Sequence, residues 1–390
     1  MPGWKSSTGP RPRDVVAEHP ASVLVVVEQL RRRVPGGIGT YARGLLDGLV
    51  RCAEDGDGVE ATLLASRGPR GEDPLAEFGL PLVTSSLPGR LLTRAWDLGF
   101  APAPGGFDVV HAVSLAAPPL RRGGRLVVTV HDVAWRRHPE ATTRRGARWH
   151  EAALGRAVRH ADALVTPSRL VAADLAAWGV EGSRVTVVPN GADHLPAADD
   201  AATEALLARH GVQGEFVLTV GTLEPRKNLG RLVEAYARVR PALPGAWPLL
   251  IVGPDGWGDG SPPTAHAQGV VFTGAVDAAV LAGLYARARA LAYVPLTEGY
   301  GLPPLEAMRV GVPTLVSDQV PSVHDVGDDA PAPAVVVDPL DVASMTAGLE
   351  AVLTDEVLRA DLAARGAAHA VVRTWHAAAR RYVDLWESLR

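Results

Sequence analysis

The chain has 390 residues, 47% of them hydrophobic and 21% charged, with a net charge of -4 and one cysteine, Cys52. That length is enough for two α/β domains with buried cores, and a lone cysteine excludes an intrachain disulfide and a cysteine-based zinc site. No apolar run is long enough to span a bilayer, and no dense basic run interleaved with aromatics marks a nucleic-acid surface.

Residues 1–20 hold Pro, Gly and Arg but no apolar core, which predicts a disordered tail without a secretory signal. Ser22–Val27 reads as a strand, the Gly-rich stretch Pro35–Gly39 (PGGIG) as a loop, and Thr40–Cys52 as an amphipathic helix. Further strands are expected at Ala61–Leu64, Asp108–His111, Leu126–Val130, Ala163–Thr166 and Val185–Val188. Helices are expected at Thr142–His160 and at Ser168–Trp178, with Ser168 as N-cap. The turn-rich, acidic stretch Asn190–Ala202 reads as a linker.

A second alternating series follows. Its strands are Phe216–Val220, Leu249–Val252, Val270–Thr273, Leu291–Val294, Thr314–Val316 and Val335–Val337. Its helices are Leu229–Arg240, Asp277–Arg289, Pro304–Arg309, Asp341–Leu353 and Glu356–Ala370, and Trp375–Arg390 forms a last amphipathic helix. Strand–helix alternation argues for parallel sheets covered on both faces. The restart predicts two doubly wound, Rossmann-like domains, 21–195 and 196–374, with 375–390 packing back on the first. Open sheets of this kind bind ligands at the C-terminal ends of their strands, so the chemistry belongs in the loops that follow strands.

Those loops carry the informative residues. TEGYGLPPLEA offers two carboxylates, Glu298 on a loop and Glu306 in an expected first helical turn after Pro303 and Pro304. Between them the backbone N–H groups of Tyr300, Gly301 and Leu302 can hold phosphate, while carboxylates grip sugar hydroxyls. Two glycosidase carboxylates are the other reading, but a phosphate-type loop beside them is superfluous for that chemistry. GTLEPRKN sets Arg226 and Lys227 at a helix start, where two cations converge on one anion such as a leaving diphosphate. The chain's other lysine is Lys5, so Lys227 is the only one beyond the expected tail. His131, with Asp132, closes the strand LVVTV on the cleft side, whereas His111 reads as structural. PGGIG lets the backbone approach a ligand but is neither G-x-G-x-x-G nor a P-loop. No cluster has metal spacing, so no protein-held metal and no cofactor are expected. Through residue 195 the chain carries 24 Lys+Arg against 20 Asp+Glu, and 15 against 23 after it. A mildly basic first half suits an anionic acceptor or a membrane surface, and equally a solvated face with no partner.

These segments together resemble the retaining glycosyltransferases of family 4, which have the GT-B fold. The resemblance runs through PGGIGTYARGLL, TVHDVAW, VTPSRLVAADL, VVPNGAD, VGTLEPRKNLGRLVEAY, FTGAVD and PLTEGYGLPPLEAMRVGVPTLVSD. It implies two domains facing across a cleft, a last helix crossing back to the first domain, and a nucleotide-diphosphate sugar held mainly by the second. It implies Arg226 and Lys227 on the diphosphate, Glu306 on the ribose, Glu298 on the donor sugar, and Tyr300, Gly301 and Leu302 near phosphate or sugar. Phe272, Thr273 and Gly274 fall where the base is held, Gly37 near the phosphate, and His131 beside the donor sugar. The family transfers a hexosyl group with retention, usually without metal, the leaving phosphate helping to deprotonate the acceptor. GTLEPRKNL resembles mannosyl- and rhamnosyl-type polysaccharide enzymes, which puts GDP-mannose first among donors and leaves UDP-glucose open. The implied setting is cytoplasmic, in solution or at the inner face of the membrane, with a glycan, lipid-linked or small-molecule acceptor. A non-catalytic sugar-nucleotide-binding subunit and a nucleotide-sugar epimerase are the alternatives. One departure is QVPSVHDVGDD, where His324–Asp325 replaces a common Pro-Glu.

Overall fold

The computed structural model describes residues 19–32, 35–69, 71–121, 123–245, 247–256, 268–324 and 331–390. Of the expected tail, residues 1–18 lie outside the described residues, as does Asp325.

The chain forms two parallel sheets in succession. The first contains β1 (Ser22–Val26), β2 (Glu60–Ala65), β3 (Leu82–Thr84), β4 (Val109–Ala112), β5 (Arg125–Thr129), β6 (Ala163–Thr166) and β7 (Val185–Val187), in the order β3-β2-β1-β4-β5-β6-β7. Its helices are α1 (Gly36–Glu54), α2 (Gly89–Asp97), α3 (Ala134–Arg137), α4 (Arg144–His160) and α5 (Arg169–Ala177). The second contains β8 (Val217–Val220), β9 (Leu249–Val252), β10 (Val270–Gly274), β11 (Ala290–Tyr293), β12 (Thr314–Ser317) and β13 (Val335–Val337), in the order β10-β9-β8-β11-β12-β13. Around it lie α6 (Asp200–Arg209), α7 (Leu229–Val239), α8 (Ala278–Arg287), α9 (Leu302–Arg309), α10 (Pro321–His324), α11 (Val342–Thr354) and α12 (Glu356–Val371). The last helix, α13 (Trp375–Ser388), returns to pack along α1 of the first domain.

The inner strands, such as β4, β6, β9 and β11, are buried on both sides because helices cover both faces. Val23 and Val25 of β1 face a core shared with α1 and α13, while Leu24 and Val26 face one shared with α2, α4 and α5. In the second sheet, α7 and α11 cover one face and α6, α8 and α9 the other, while α12 gives Leu362 to the former core and Ala370 to the latter. The α1–α13 contact depends on missing side chains. A Cβ on Gly44 would lie 2.1 Å from the Trp375 ring, and one on Gly48 would lie 2.3 Å from the Trp375 carbonyl oxygen. At the same contact the Tyr382 and Tyr41 hydroxyls meet at 2.6 Å, beside Thr129 Oγ1.

Three local expectations are corrected. PGGIG is not a loop: Gly36–Gly39 form the first turn of α1, entered through Gly36 at φ 62° and with Gly39 packed so close to Pro35 that a Cβ there would lie 2.2 Å from its side chain. The linker ends earlier than Ala202, since Asp199 accepts from Ala202 N at 2.9 Å and caps α6 from Asp200. Helix α9 begins at Leu302, ahead of both prolines, so Glu306 lies past its first turn. Ser168 caps α5 as expected, accepting from Val171 N at 3.3 Å.

Candidate active site

In both sheets the strand order reverses beside the first strand, between β1 and β4 and between β8 and β11. At such a switch point the loops leave the strand ends in opposite directions and open a crevice. The loop after β8 holds Glu224, Arg226 and Lys227; the loop after β11 holds Thr297, Glu298 and Gly299. Topology thus brings together two segments about 70 residues apart.

Arg226 and Lys227 converge on one carboxylate. Arg226 Nη1 lies 2.9 Å and Lys227 Nζ 2.5 Å from Glu298 Oε1, and the Tyr293 hydroxyl donates to that oxygen at 2.8 Å. Arg226 also pairs with Glu224 at 2.7 Å and donates to Thr297 O at 3.1 Å. Lys227 Nζ donates to the Tyr293 hydroxyl at 2.8 Å. Burial alone would raise the Glu298 pKa, but Arg226 and Lys227 outweigh it and hold the carboxyl at about 2. Glu298 is therefore ionised at neutral pH and cannot serve there as a proton donor, which excludes the general-acid half of a glycosidase pair for it. Burial pushes the Arg226 guanidinium down, but Glu298, Asp132 and Glu224 together raise it above its usual value. Two cations and two carboxylates are paired here, with Asp132 a third carboxylate nearby. Lys227 has three N–H donors, of which Tyr293 and Glu298 take two among the described residues, leaving one for a ligand.

Asn228, at φ 59°, ends the short turn of Pro225–Lys227. Its side-chain amide donates to Val294 O at 3.1 Å and Pro339 O at 2.7 Å, bolting the β8 loop to the β11 loop. The first domain closes over the same loop. Ser168 Oγ donates to Gly299 O at 2.7 Å, and a Cβ at Gly299 would sit 1.8 Å from the His131 carbonyl oxygen. Only glycine permits this approach.

His131 follows β5, its ring edge-on to Tyr41 with centroids 4.6 Å apart, and its Nε2 lies 2.8 Å from Val113 O at the end of β4. Since a carbonyl only accepts, Nε2 carries a proton. His131 is partly open to the cleft, yet surrounding protein desolvates it and lowers its pKa, against smaller opposing effects of Val113 and Asp132. His111 is structural: it is buried, bonded to Thr129 at 2.8 Å and stacked on Tyr382, and burial, then His131, brings it to about 3.

Glu306 sits apart from the Glu298 cluster. It is 6% exposed, with Oε2 accepting from the Tyr285 hydroxyl at 2.6 Å and Oε1 lying 3.1 Å from His194 Nε2. Tyr300 and Gly301 are buried rather than open, correcting the expectation of exposed backbone, because the Tyr300 ring packs into the core and its hydroxyl reaches Asn190 O at 3.0 Å. Gly301 precedes α9 at φ 97°, and Leu302 opens that helix. Phe272, Thr273 and Gly274 end β10, two strands from β8, about 10 Å at ordinary strand spacing. They do not join the Glu298 cluster. Gly37 is exposed in the first turn of α1 with open space around it. His324 is exposed at the end of α10, whose Ser322 Oγ donates to Gly301 O at 2.7 Å. Sequence reading passed over Glu224, Tyr285, Tyr293 and His194. Glu224 lay inside a motif already singled out, and a tyrosine closing an apolar strand was a signal at Tyr293.

Residues 35–194 match the model of Glycosyltransferase Family 4, and residues 208–369 match that of Glycosyl transferases group 1. The chain belongs to glycosyltransferase family 4. This glycosyltransferase is 29% identical over 273 residues to O-antigen chain mannosyltransferase B of Escherichia coli, covering 68% of this chain and 71% of the relative. It is 32% identical over 233 residues to phosphatidyl-myo-inositol mannosyltransferase of Mycobacterium tuberculosis, covering 57% and 59%. It spans 24% of the length of a third relative, the serotype-specific mannosyltransferase WbdA of Escherichia coli. Among solved structures, HepE of Anabaena in complex with UDP and glucose aligns with a TM-score of 0.68 at 18% identity, over 94% of this chain and all of that one. WaaG, a glycosyltransferase involved in lipopolysaccharide biosynthesis, aligns with a TM-score of 0.65 at 19% identity, over 93% and 99%. These similarities show the two-domain GT-B fold. No helix among the described residues is long and apolar enough to cross a membrane, and no group of three or more His, Cys, Asp or Glu there could hold a metal ion.

Proposed function

We propose that the enzyme transfers a hexosyl group with retention from a nucleoside-diphosphate sugar, GDP-mannose first among donors, to a glycan or lipid-linked hydroxyl. The observation that carries the reading is the convergence of Arg226, Lys227 and Glu298 at the β8/β11 switch point. A diphosphate arriving there meets the open N–H donors of both cations. As the sugar–phosphate bond breaks, negative charge grows on the leaving oxygens, and fixed cations in a partly dry site stabilise that change most. Arg226 and Lys227 supply this charge from the protein, so the reaction in this reading needs no metal. Glu298, fixed as an anion, accepts hydrogen bonds from donor-sugar hydroxyls. Glu306 has lone pairs beyond those taken by Tyr285 and His194 and accepts from the ribose. Phe272–Gly274 edge the base site, and the backbone at Tyr300–Leu302 and the α1 start at Gly37 flank the phosphates. His131, presented beside Gly299, faces the sugar. The leaving phosphate takes the acceptor proton on the same face, which gives retention without a protein nucleophile.

The mannosyltransferase relatives support mannose as the sugar. For the acceptor, the surface of the first domain supports a lipid-linked molecule presented at an anionic membrane. Leu91, Leu98 and Phe100 are 58%, 56% and 65% exposed on and just after α2, beside exposed Arg90 and Arg94. Asp97 of α2 binds Trp149 Nε1 at 2.9 Å and pairs with Arg156, so α4 lies alongside with Arg144, Arg145 and Arg148 exposed. Exposed apolar groups flanked by arginines suit an anionic lipid surface on the inner side of a membrane. The test is incubation with GDP-mannose and a lipid-linked oligosaccharide. NMR of the product is expected to show an α-mannosyl linkage, and a β-linked product would overturn the retaining assignment.

A further inference from the structure

Two stretches of chain cross between the domains, residues 188–199 and 372–375, and they are tied to each other. Ala192 N donates to Arg373 O at 3.0 Å, and Asp193 Oδ1 accepts from Trp375 N at 2.7 Å. His194 sits in the first crossing with its side chain mostly buried. Its Nδ1 accepts from Trp375 Nε1 at 3.3 Å, because an indole N–H can only donate. That bond requires the tautomer with the proton on Nε2, which then donates to Glu306 Oε1 across 3.1 Å. Trp375 in turn lies in the groove left by Gly44 and Gly48 of α1. One histidine thus connects a carboxylate of the second domain, both crossings, and a helix of the first domain whose N-terminal turn carries Gly37.

We propose that His194 is a positioning residue that couples occupancy of Glu306 by the donor to movement of the domains about the two crossings. The inference rests on the reading that Glu306 receives the ribose. Tyr285 and His194 fix the carboxylate plane, one donor on each oxygen. A ribose hydroxyl that bonds to Glu306 reorients that plane, and the shift passes through Nε2–H to the imidazole and through Nδ1 to the Trp375 indole. Trp375 packs directly on the α1 backbone at Gly44 and Gly48, so a displacement of the indole is passed to that helix. A chain of close contacts is not by itself coupling; what counts is whether the ligand biases the arrangement of the hinge.

The experiment is amide hydrogen exchange on the full chain with and without a saturating nucleoside diphosphate, using UDP and GDP as probes, for wild type, His194→Phe and His194→Gln. His194→Gln keeps an N–H donor near the position of Nε2; His194→Phe keeps the ring and removes the donor. The Tyr300–Asn190, Ala192–Arg373 and Asp193–Trp375 bonds remain in both variants and hold the fold. In wild type, nucleotide is expected to slow exchange both at 222–228 and at 190–195 with 373–377, by about threefold or more. In His194→Phe the response at 222–228 remains and that of the crossings is lost. Its kcat falls about tenfold while the donor KM changes less, and His194→Gln restores both. A crossing response that persists in His194→Phe overturns the coupling, as does nucleotide binding to wild type with no response there. Absence of any response at 222–228 in wild type overturns the donor-site reading and the coupling with it.

Discussion

Glu298→Gln separates two effects that the wild-type carboxylate combines. Glu224 and Glu298 pair with Arg226 and Lys227, and Asp132 is a third carboxylate close enough to act on Arg226. The substitution removes one negative charge from the place proposed for the diphosphate and so relieves a repulsion. Two unit charges about 5 Å apart at an effective dielectric near 20 interact by about 3 kcal/mol. Rearrangement and salt screening leave about 1 kcal/mol, or about fivefold tighter binding of a nucleoside diphosphate. Turnover with a sugar nucleotide moves the other way, by about a hundredfold, because an anionic acceptor for the sugar hydroxyls is lost. Stability also falls. Holding the carboxyl at about 2 instead of 4.5 corresponds to ~3 kcal/mol at neutral pH, an upper bound because glutamine keeps bonds to Lys227 and Tyr293. Isothermal calorimetry, steady-state kinetics and thermal unfolding read the three effects. Weaker nucleoside-diphosphate binding in a variant still folded at the assay temperature would refute the reasoning from charge.

Other outcomes follow from the same geometry. The Glu298 pKa is depressed in the fold, so its contribution is complete above about 4.5 and lost as pH falls towards about 2. Urea midpoints at pH 7, 4 and 3 are expected to fall more steeply for wild type than for Glu298→Gln, and parallel slopes would count against the pairing. Gly299→Ala drives a methyl into the His131 carbonyl oxygen at 1.8 Å. Thermal unfolding should then show a loss of about 1–3 kcal/mol, and turnover should drop about tenfold or more. A wild-type Tm and rate would show that the domains do not meet there in solution. For the proposed membrane face, sedimentation with vesicles is the check. Wild type should pellet with anionic but not zwitterionic vesicles, and a Leu91→Asp/Phe100→Asp variant should stay in the supernatant with its nucleotide affinity unchanged.

The fold was legible because parallel strands buried on both faces are short apolar runs, and they recur between helical patterns from Ser22 to Val337. Where that signal weakens, reading failed. β3 is three residues on a sheet edge with no fully buried side chain, and α2 follows Pro88 in a stretch rich in arginine and exposed leucine. α6 was hidden in the acidic segment read as linker, although Asp199 is an ordinary cap. The residue types of the site were legible as well: EPRKN and TEGYG each sit after a strand. Their meeting was not, because adjacency of β8 and β11 is a property of strand order rather than of spacing. For the same reason the Tyr285 and His194 partners of Glu306 could not be read. One comes from α8 and the other from a crossing between domains, and each looked like an isolated polar residue in its own segment.

The central claim is that Arg226 and Lys227 hold the diphosphate of a sugar nucleotide. Calorimetric titration of GDP, UDP, ADP and dTDP into wild type and into Arg226→Ala/Lys227→Ala tests it most directly. At least one nucleoside diphosphate is expected to bind the wild type, and the double variant to lose about a hundredfold or more of that affinity, as expected for two charge-assisted bonds. Binding of equal strength to both proteins, or no binding to the wild type by any of the four, would contradict it.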